Sequence, residues 1–307
     1  MLLKTLESRR GGWELYPTRS GVLITLLLAC AVGCGPEAAF PEETEALGNT
    51  SHSIVEGNGL NLNGLNLNGL NLNGLDLNGL NLNGLSTNAF RDWFQADTTL
   101  RNEVMKYVVA CAVPAGESRT YTNSGITYTW QGVLGLAPGW ASGNAATLVE
   151  EQVVSACMAA HANKFNIHVN ISLLGLDGAG NAIPTTSQEL TDYGVREACF
   201  FGNLFDGSTG VFGANDGLSL ASNESTPRVC GLAGTGASAS QCSPMVYAGS
   251  CSQYCTRDAT NTFYTSCSYN GTTYRPITTR LRAQDIYRCG DGVCQPTESS
   301  GTCASDC

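Results

Sequence analysis

Cys157 and His161 are the residues whose types and spacing suggest chemistry most directly. They lie four positions apart in a segment predicted to be helical, so they share one face of that helix. A thiol beside an imidazole can form a nucleophile pair, because the imidazole can take up the thiol proton. The competing interpretation is a disulfide-bonded Cys157 with His161 at the surface, and an oxidising compartment favours it. The choice between the two depends on where the protein resides.

Other polar residues give weaker signals. His161 and His168 could bind a metal ion together, but no third ligand stands at a diagnostic spacing. Ser219 lies in a sequence close to the nucleophile elbow G-x-S-x-G, without its final glycine. Four acids could form a carboxylate pair only through the fold, and we expect them at the solvated surface: Asp177, Glu189, Asp192 and Glu197. We therefore assign no catalytic residue from sequence.

An apolar run near the N-terminus indicates the compartment. Residues 21–29 carry no charge and follow four basic residues, as in a secretory signal: Lys4, Arg9, Arg10 and Arg19. A helix that spans a bilayer needs about 20 apolar residues, and this run is shorter. The small residues 31–33 before Cys34 resemble the lipobox of bacterial lipoproteins, and residues 27–29 before Cys30 fit nearly as well.

We prefer Cys34 as the lipid acceptor, because polar residues follow it directly. Residues 1–33 would then be the signal peptide, and residues 34–57 a lipidated cysteine with a polar linker. Each buried methylene of such a lipid contributes about 0.8 kcal/mol to membrane binding. An ordinary cleaved signal with incidental cysteines is the alternative. The resemblance implies an exported protein of the cell envelope that is lipid-anchored to a membrane.

Charge and cysteine content narrow the function classes further. The 307-residue chain has 16 basic and 26 acidic residues, a formal net charge of −10, which lacks the electrostatic footprint of nucleic-acid binding. Of its 14 cysteines, 12 remain when Cys30 and Cys34 are set aside, and an even number predicts disulfides in an exported chain. The candidates are Cys111, Cys157, Cys199, Cys230, Cys242, Cys251, Cys255, Cys267, Cys289, Cys294, Cys303 and Cys307. We expect Cys111 to pair with Cys157, since both lie on apolar helix faces.

Residues 58–85 contain five tandem copies of L-[ND]-L-N-G. A period of five rotates a helical face by about 140° per repeat and so excludes an amphipathic helix. The period fits a four-sided β-helix, and the segment resembles pentapeptide-repeat proteins with the pattern A-[DN]-L-x-x. Five units make little more than one turn of such a coil. The segment either docks on the neighbouring domain or serves as a spacer, and neither role implies a reaction.

Residues 86–288 are predicted to form one disulfide-stabilised α+β domain. Its expected elements are a helix around Leu100–Cys111, a hairpin over Arg119–Trp130, a helix over Ala146–Asn163, a half-buried strand over Ile167–Leu173 and a short helix after Thr186. Thr98 or Thr99 would cap the first helix, and Thr186 forms a capping box with Glu189. From Phe205 onward, the composition predicts loops and short strands held by disulfides.

Residues 289–307 have the pattern C-G-D-G-x-C-x3-E-x4-C-x2-D-C. It resembles a short cysteine module at the ends of many exported bacterial proteins, an accessory that names no activity. Four cysteines in so short a segment predict two disulfides in place of a core. Asp291, Glu298 and Asp306 offer hard oxygen ligands at close spacing, as Ca²⁺ requires. The alternative is that these acids cap turns and face water.

The lipobox, the repeats and the C-terminal module together resemble uncharacterised surface lipoproteins of gliding soil bacteria. That resemblance implies a cell-surface location and no reaction. We expect a binding or structural envelope protein with an unidentified protein or glycan partner, no nucleic acid, and no cofactor apart from calcium at the C-terminal module. The alternative is a secreted hydrolase whose pocket joins His161 or His168 to a carboxylate and a nucleophile. The hairpin aromatics Tyr121, Tyr128 and Trp130 could bind sugars, but we expect them in the core.

Overall fold

The computed structural model describes residues 55–58, 60–61, 88–163, 169–206, 209–220, 226, 228–232, 245–287, 289–290, 292–295 and 298–307. All of them belong to the unit that spans residues 50–307. Some of the sequence predictions therefore lie outside the described residues. These are the signal segment with Cys30 and Cys34, the linker before Val55, the repeats beyond Asn61, and His168, Cys242 and Asp291.

The described elements mix helices and strands along the chain. The helices are α1 (Asn88–Ala96), α2 (Thr98–Ala112), α3 (Pro138–Ala141), α4 (Leu148–His161), α5 (Ser187–Asp192), α6 (Val229–Leu232) and α7 (Cys251–Tyr254). The strands are β1 (Val55–Asn58), β2 (Leu60–Asn61), β3 (Ser118–Asn123), β4 (Ile126–Gln131), β5 (Ala162–Asn163), β6 (Val169–Gly175), β7 (Val195–Asn203), β8 (Gly210–Asn215), β9 (Val246–Ser250), β10 (Cys255–Arg257), β11 (Tyr264–Tyr269), β12 (Thr272–Tyr274) and β13 (Ile277–Leu281). The predicted disulfide-stabilised α+β class is confirmed.

Among the described residues, six strands form the main sheet, in the order β1-β6-β13-β7-β8-β9. Neighbouring strands are antiparallel, except that β8 and β9 run parallel. A three-stranded sheet, β10-β11-β12, and the hairpin of β3 and β4 lie outside it. Strands distant in sequence, such as β6 and β13, therefore become neighbours in the sheet.

The central strand β7 divides two hydrophobic cores. Ala198 and Phe200 belong to the larger core, which contains α1, α2 and α4. Cys199 and Phe201 belong to the smaller core, which contains residues of β8, α7 and the three-stranded sheet. Successive residues of a strand point to opposite faces, so both faces of this part of the sheet are covered.

Both faces of β6 are covered as well, so the prediction of a half-buried strand is wrong. Ser172 and Leu174 are buried along with Ile171 and Leu173. The Ser172 hydroxyl donates to Glu189 Oε1 over 2.7 Å, which gives this buried polar position a partner. Glu189 was expected at the surface and is buried, because the fold brings its carboxylate over β6.

The helices begin at local capping signals, although one predicted cap is wrong. Asp97 caps α2 by accepting from Leu100 N over 3.0 Å, so neither Thr98 nor Thr99 is the N-cap. α4 begins after Thr147, whose hydroxyl and the Glu150 carboxylate form a complete capping box. Thr186 caps α5 as predicted, although the Glu189 carboxylate is occupied elsewhere.

The predicted hairpin is present and its turn is the predicted one. β3 and β4 pair up to Asn123 opposite Ile126, and the turn residues Ser124 and Gly125 have φ of 51° and 82°. Two positive φ values at a two-residue loop match the twist of the flanking strands. The hairpin aromatics Tyr121, Tyr128 and Trp130 pack against Phe90 and Phe94 of α1. Trp130 is buried in the core as expected, whereas Tyr121 and Tyr128 pack against the core and are partly exposed.

Two short strands precede residue 86, where the predicted domain begins. β1 pairs with β6 and places Glu56 opposite Ile171. β2 pairs with β5 and places Leu60 opposite Ala162. The main sheet thus includes residues from the segment predicted as a linker, and the first repeat contributes a strand.

Candidate functional site

The pair Cys157 and His161 lies at the C-terminal end of α4. Cys157 forms a disulfide with Cys111 of α2, which confirms the predicted pairing. His161 was expected at the surface, but its side chain is only 2% exposed. The expectation is wrong because α4 lies between α2 and the sheet, so even its last turn is covered.

His161 faces the disulfide and its own helix. Its Nδ1 lies 2.8 Å from the Cys157 carbonyl oxygen, and 3.7 and 4.0 Å from the sulfurs of Cys157 and Cys111. A neutral ring with its proton on Nδ1 donates to that carbonyl, and the Tyr107 ring lies 5.5 Å away. A disulfide sulfur carries no thiol proton, so this arrangement does not form a nucleophile pair.

Every cysteine among the described residues is disulfide-bonded, as the sequence predicted. The further pairs are Cys199–Cys251, Cys255–Cys267, Cys289–Cys303 and Cys294–Cys307, and Cys230 is also bonded. Thiolate is the form that attacks carbonyls and binds metals. The described cysteines therefore serve as cross-links.

Glu197, another acid expected at the surface, is fully buried and paired. Its carboxylate accepts from Arg228 Nε over 2.6 Å and from Arg228 Nη2 over 3.1 Å. Arg228 also donates to the Ala162 carbonyl over 2.7 Å. The surface expectation is wrong because Arg228, directly before α6 and 31 residues away in sequence, pairs with Glu197 of β7. By contrast, Asp192 is exposed and Asp177 partly exposed, as expected.

The C-terminal module contains the two predicted disulfides. Glu298 accepts from Gln295 N over 3.0 Å, and Asp306 accepts from Gly290 N over 2.6 Å. Both carboxylates thus cap turns, and each retains lone pairs for a cation. Calcium binding by Asp291, Glu298 and Asp306 stays a prediction. A cleft of about 320 Å³ adjoins the module and is lined by Ala283, Gln284, Tyr287, Cys289, Glu298, Thr302 and Cys303.

A cluster of charged groups surrounds Asp216, directly after β8. Arg196 of β7 stands opposite Arg280 of β13, and Arg257 ends β10. Arg257 forms an ion pair with Asp216, and the Tyr264 hydroxyl donates to the same carboxylate oxygen over 2.9 Å. We call Arg196, Arg257 and Arg280 the arginine cluster.

The arginine cluster also holds the loop between β10 and β11. Arg196 Nη2 donates to the Asn261 carbonyl over 2.8 Å, and Arg280 Nη2 donates to the Thr262 carbonyl over 3.4 Å. The loop keeps its shape because the Asp258 carboxylate accepts from the N–H groups of Thr260, Thr262 and Phe263. Arg196 and Arg280 are therefore anchored by backbone carbonyls of this loop, whereas Arg257 is held by Asp216.

The electrostatics of the cluster favour an added negative charge. Burial lowers the pKa of Arg280, and the neighbouring charge of Arg196 lowers it further. Burial also raises the pKa of Tyr264, as does its hydrogen bond to Asp216. Three guanidinium groups stand against one carboxylate, within a chain whose formal net charge is −10. The arginine cluster is therefore locally positive on a chain that is negative as a whole.

Sequence reasoning missed the arginine cluster. Arg196 and Arg280 lie in strands that are otherwise mostly apolar or threonine-rich. Charged residues are rarely buried without a partner, so an arginine in such a strand is a sequence signal for a paired or functional site. What the sequence does not show is the register that sets these two residues opposite each other. That register is a property of the completed sheet.

No family model, curated protein or solved structure matches the chain. None of the helices among the described residues has the length and hydropathy of a membrane span. Two features of the described residues bear on function, namely the complete disulfide bonding of their cysteines and the arginine cluster.

Proposed function

We propose that the chain is an exported, non-catalytic protein of the cell envelope, held at a membrane by a lipid on Cys34, with Cys30 as the alternative acceptor. Its disulfide-bonded domain binds a protein or glycan of the envelope or contributes to the structure of the envelope. The observation that supports export is that every cysteine among the described residues is disulfide-bonded. Disulfides persist in oxidising compartments and are rare in the cytosol.

The surroundings of the buried polar groups support binding over catalysis. His161 is packed against a disulfide, and the Glu197 carboxylate accepts hydrogen bonds from Nε and Nη2 of Arg228. Glu189 accepts from two hydroxyls, those of Ser172 and Thr185. Groups held in this way stabilise the fold. The hydrolase alternative needs His161 or His168 beside a carboxylate and a nucleophile. At His161 the disulfide occupies the position of the nucleophile, and His168 lies outside the described residues.

Lipid attachment can be tested by labelling and fractionation in a bacterial host. Cells that make the full chain are fed radiolabelled palmitate, and the protein is followed into membrane and soluble fractions. We expect label and membrane association in the unmodified protein and in a Cys30→Ser variant, and loss of both in Cys34→Ser. Label that persists in Cys34→Ser and disappears in Cys30→Ser would move the anchor to Cys30. Unlabelled protein in the soluble fraction for all three would overturn the anchor.

The disulfide state tests the export part of the proposal separately. Thiol alkylation of freshly lysed cells, before any reductant, labels only free cysteines. We expect Cys111 and Cys157 to be protected in the exported chain, and both to be alkylated in a variant with residues 1–33 deleted that stays in the cytosol. Equal alkylation of the two proteins would contradict the link between export and folding.

A further inference from the structure

We propose that the arginine cluster is a binding site for an oxyanion, the phosphate or carboxylate group of an envelope partner. Arg196, Arg257 and Arg280 supply the site, and Asp216 orients Arg257 within it. The inference deepens the proposed binding function and rests on it only for the partner's location. Binding of the anion itself follows from the chemistry of the cluster.

The fold brings the three guanidinium groups together from different parts of the chain. Arg196 and Arg280 are direct cross-strand partners on β7 and β13. Arg257 comes from the smaller sheet and lies with its guanidinium carbon 4.2 Å from the centre of the Tyr264 ring. Like charges directly opposite each other destabilise a sheet, so this placement has a cost in the free protein. A bound anion would offset that cost.

The cluster has donors that the fold does not use. A guanidinium group has five N–H donors, and the loop carbonyls and Asp216 each accept from only one nitrogen of an arginine. Arg257 Nη1 and Arg280 Nε are buried and have no hydrogen-bond partner among the described residues. Buried donors of charged groups normally have partners. These two can donate to a ligand oxygen.

The burial of the three side chains is graded, which suits a site that opens to solvent. Arg280 is 8% exposed and lies deepest, while the Arg257 side chain is 22% exposed. Arg196 is partly exposed as well. An anion arriving from solvent would meet Arg196 and Arg257 first, with Arg280 behind them.

Loop anchoring alone does not account for this set of residues. One neutral donor per strand would suffice to hold the carbonyls of Asn261 and Thr262. Arginine brings a planar fork that matches the two oxygens of a carboxylate or phosphate, and its charge persists at all physiological pH values. Three guanidinium groups beside the single carboxylate of Asp216 leave the positive charge and the donors that an oxyanion site needs.

The test is isothermal titration calorimetry of the purified full chain at constant ionic strength, set with sodium chloride. Inorganic phosphate and acetate are titrated separately, to distinguish a phosphate source from a carboxylate source. We expect saturable binding of at least one of them. Arg280→Gln and Arg196→Gln should each weaken it by about tenfold or more, because each removes a charge-assisted hydrogen bond.

Arg91→Gln is the matched control, because it removes the same charge from an exposed arginine of α1 whose one ion pair within the described part of the chain is with Asp92. It should leave anion binding unchanged. Near-UV circular dichroism checks folding, and the partly exposed Arg196 keeps the test valid if Arg280→Gln does not fold. The proposal is overturned if neither anion binds the unmodified chain, or if folded Arg196→Gln binds as tightly as Arg91→Gln. Because Cys34 plays no part in this assay, a failed lipid anchor and a failed anion site are separate results.

Discussion

Arg228 and Glu197 form a bidentate ion pair in the protein interior, with Nε–Oε1 and Nη2–Oε2 distances of 2.6 and 3.1 Å. Neither side chain is more than 1% exposed. The pair joins the residue directly before α6 to the central strand β7, and Arg228 also donates to the carbonyl of Ala162 at the end of α4. One guanidinium thus connects a helix, the sheet and the segment that follows the disulfide-bonded helix.

Replacing one partner of this pair should be strongly destabilising. Arg228→Met leaves the Glu197 carboxylate buried without its counter-ion, and breaking a buried pair in this way costs about 3–5 kcal/mol. Urea unfolding followed by fluorescence gives the free energy of unfolding. The double variant Arg228→Met with Glu197→Leu should recover most of the loss, because it removes both charges.

Arg91→Met provides the control for this measurement. Arg91 pairs with Asp92, but both side chains are largely exposed, and such pairs contribute about 0–1 kcal/mol. A similar loss for Arg91→Met and Arg228→Met would contradict a special role for the buried pair. So would a double variant that is no more stable than Arg228→Met alone.

The Cys111–Cys157 disulfide should contribute more stability than the Cys255–Cys267 disulfide. The two bridges close sequence separations of 46 and 12 residues. In the chain-entropy description, removing them by paired substitution to alanine costs about 4 and about 3 kcal/mol. Denaturant unfolding of the two double variants compares them. The reverse order would show that packing around each bridge outweighs loop closure.

The stability contributed by Asp258 should be lost at low pH. Burial raises the pKa of Asp258, but hydrogen bonds from Thr260, Phe263 and Thr262 outweigh burial and lower the pKa from 3.8 to about 2. The ionised carboxylate therefore stabilises the folded chain above the unfolded pKa, and this contribution is lost as pH falls through about 2. Asp258→Asn should be less stable than the unmodified chain near neutral pH, and the difference should vanish near pH 2.

Asp192→Asn is the control for this pH series, since Asp192 is exposed on the last turn of α5. Its stability should follow that of the unmodified chain across the range. An Asp258→Asn deficit that stays constant from neutral pH down to about 2 would be incompatible with a lowered pKa at this residue.

Features encoded in short sequence separations could be predicted. The helix predicted over Ala146–Asn163 is present as α4, Leu148–His161, and the structure adds the capping box of Thr147 and Glu150 at its start. Asn123, Ser124 and Gly125 supply a turn whose geometry follows from residue type. Cys111 and Cys157 could be paired because both lie on apolar faces of predicted helices.

Features that depend on the completed sheet could not be predicted. Arg196 and Arg280 are 84 positions apart and meet only through the pairing of β7 with β13. The Glu197 carboxylate can be buried because Arg228, directly before α6, pairs with it, and spacing gives no sign of that partner. His161 is buried because α2 covers the end of α4, which the polar character of histidine does not reveal.

Mass spectrometry of the mature protein, purified from membranes without reductant, tests the central claim most directly. The account predicts an N-terminal peptide that begins at lipid-modified Cys34, and a cross-linked peptide that contains Cys111 and Cys157. An unmodified tryptic peptide that runs through Cys34 would contradict the lipid anchor at that residue. Free thiols at Cys111 and Cys157 in the same sample would contradict the oxidised, exported fold.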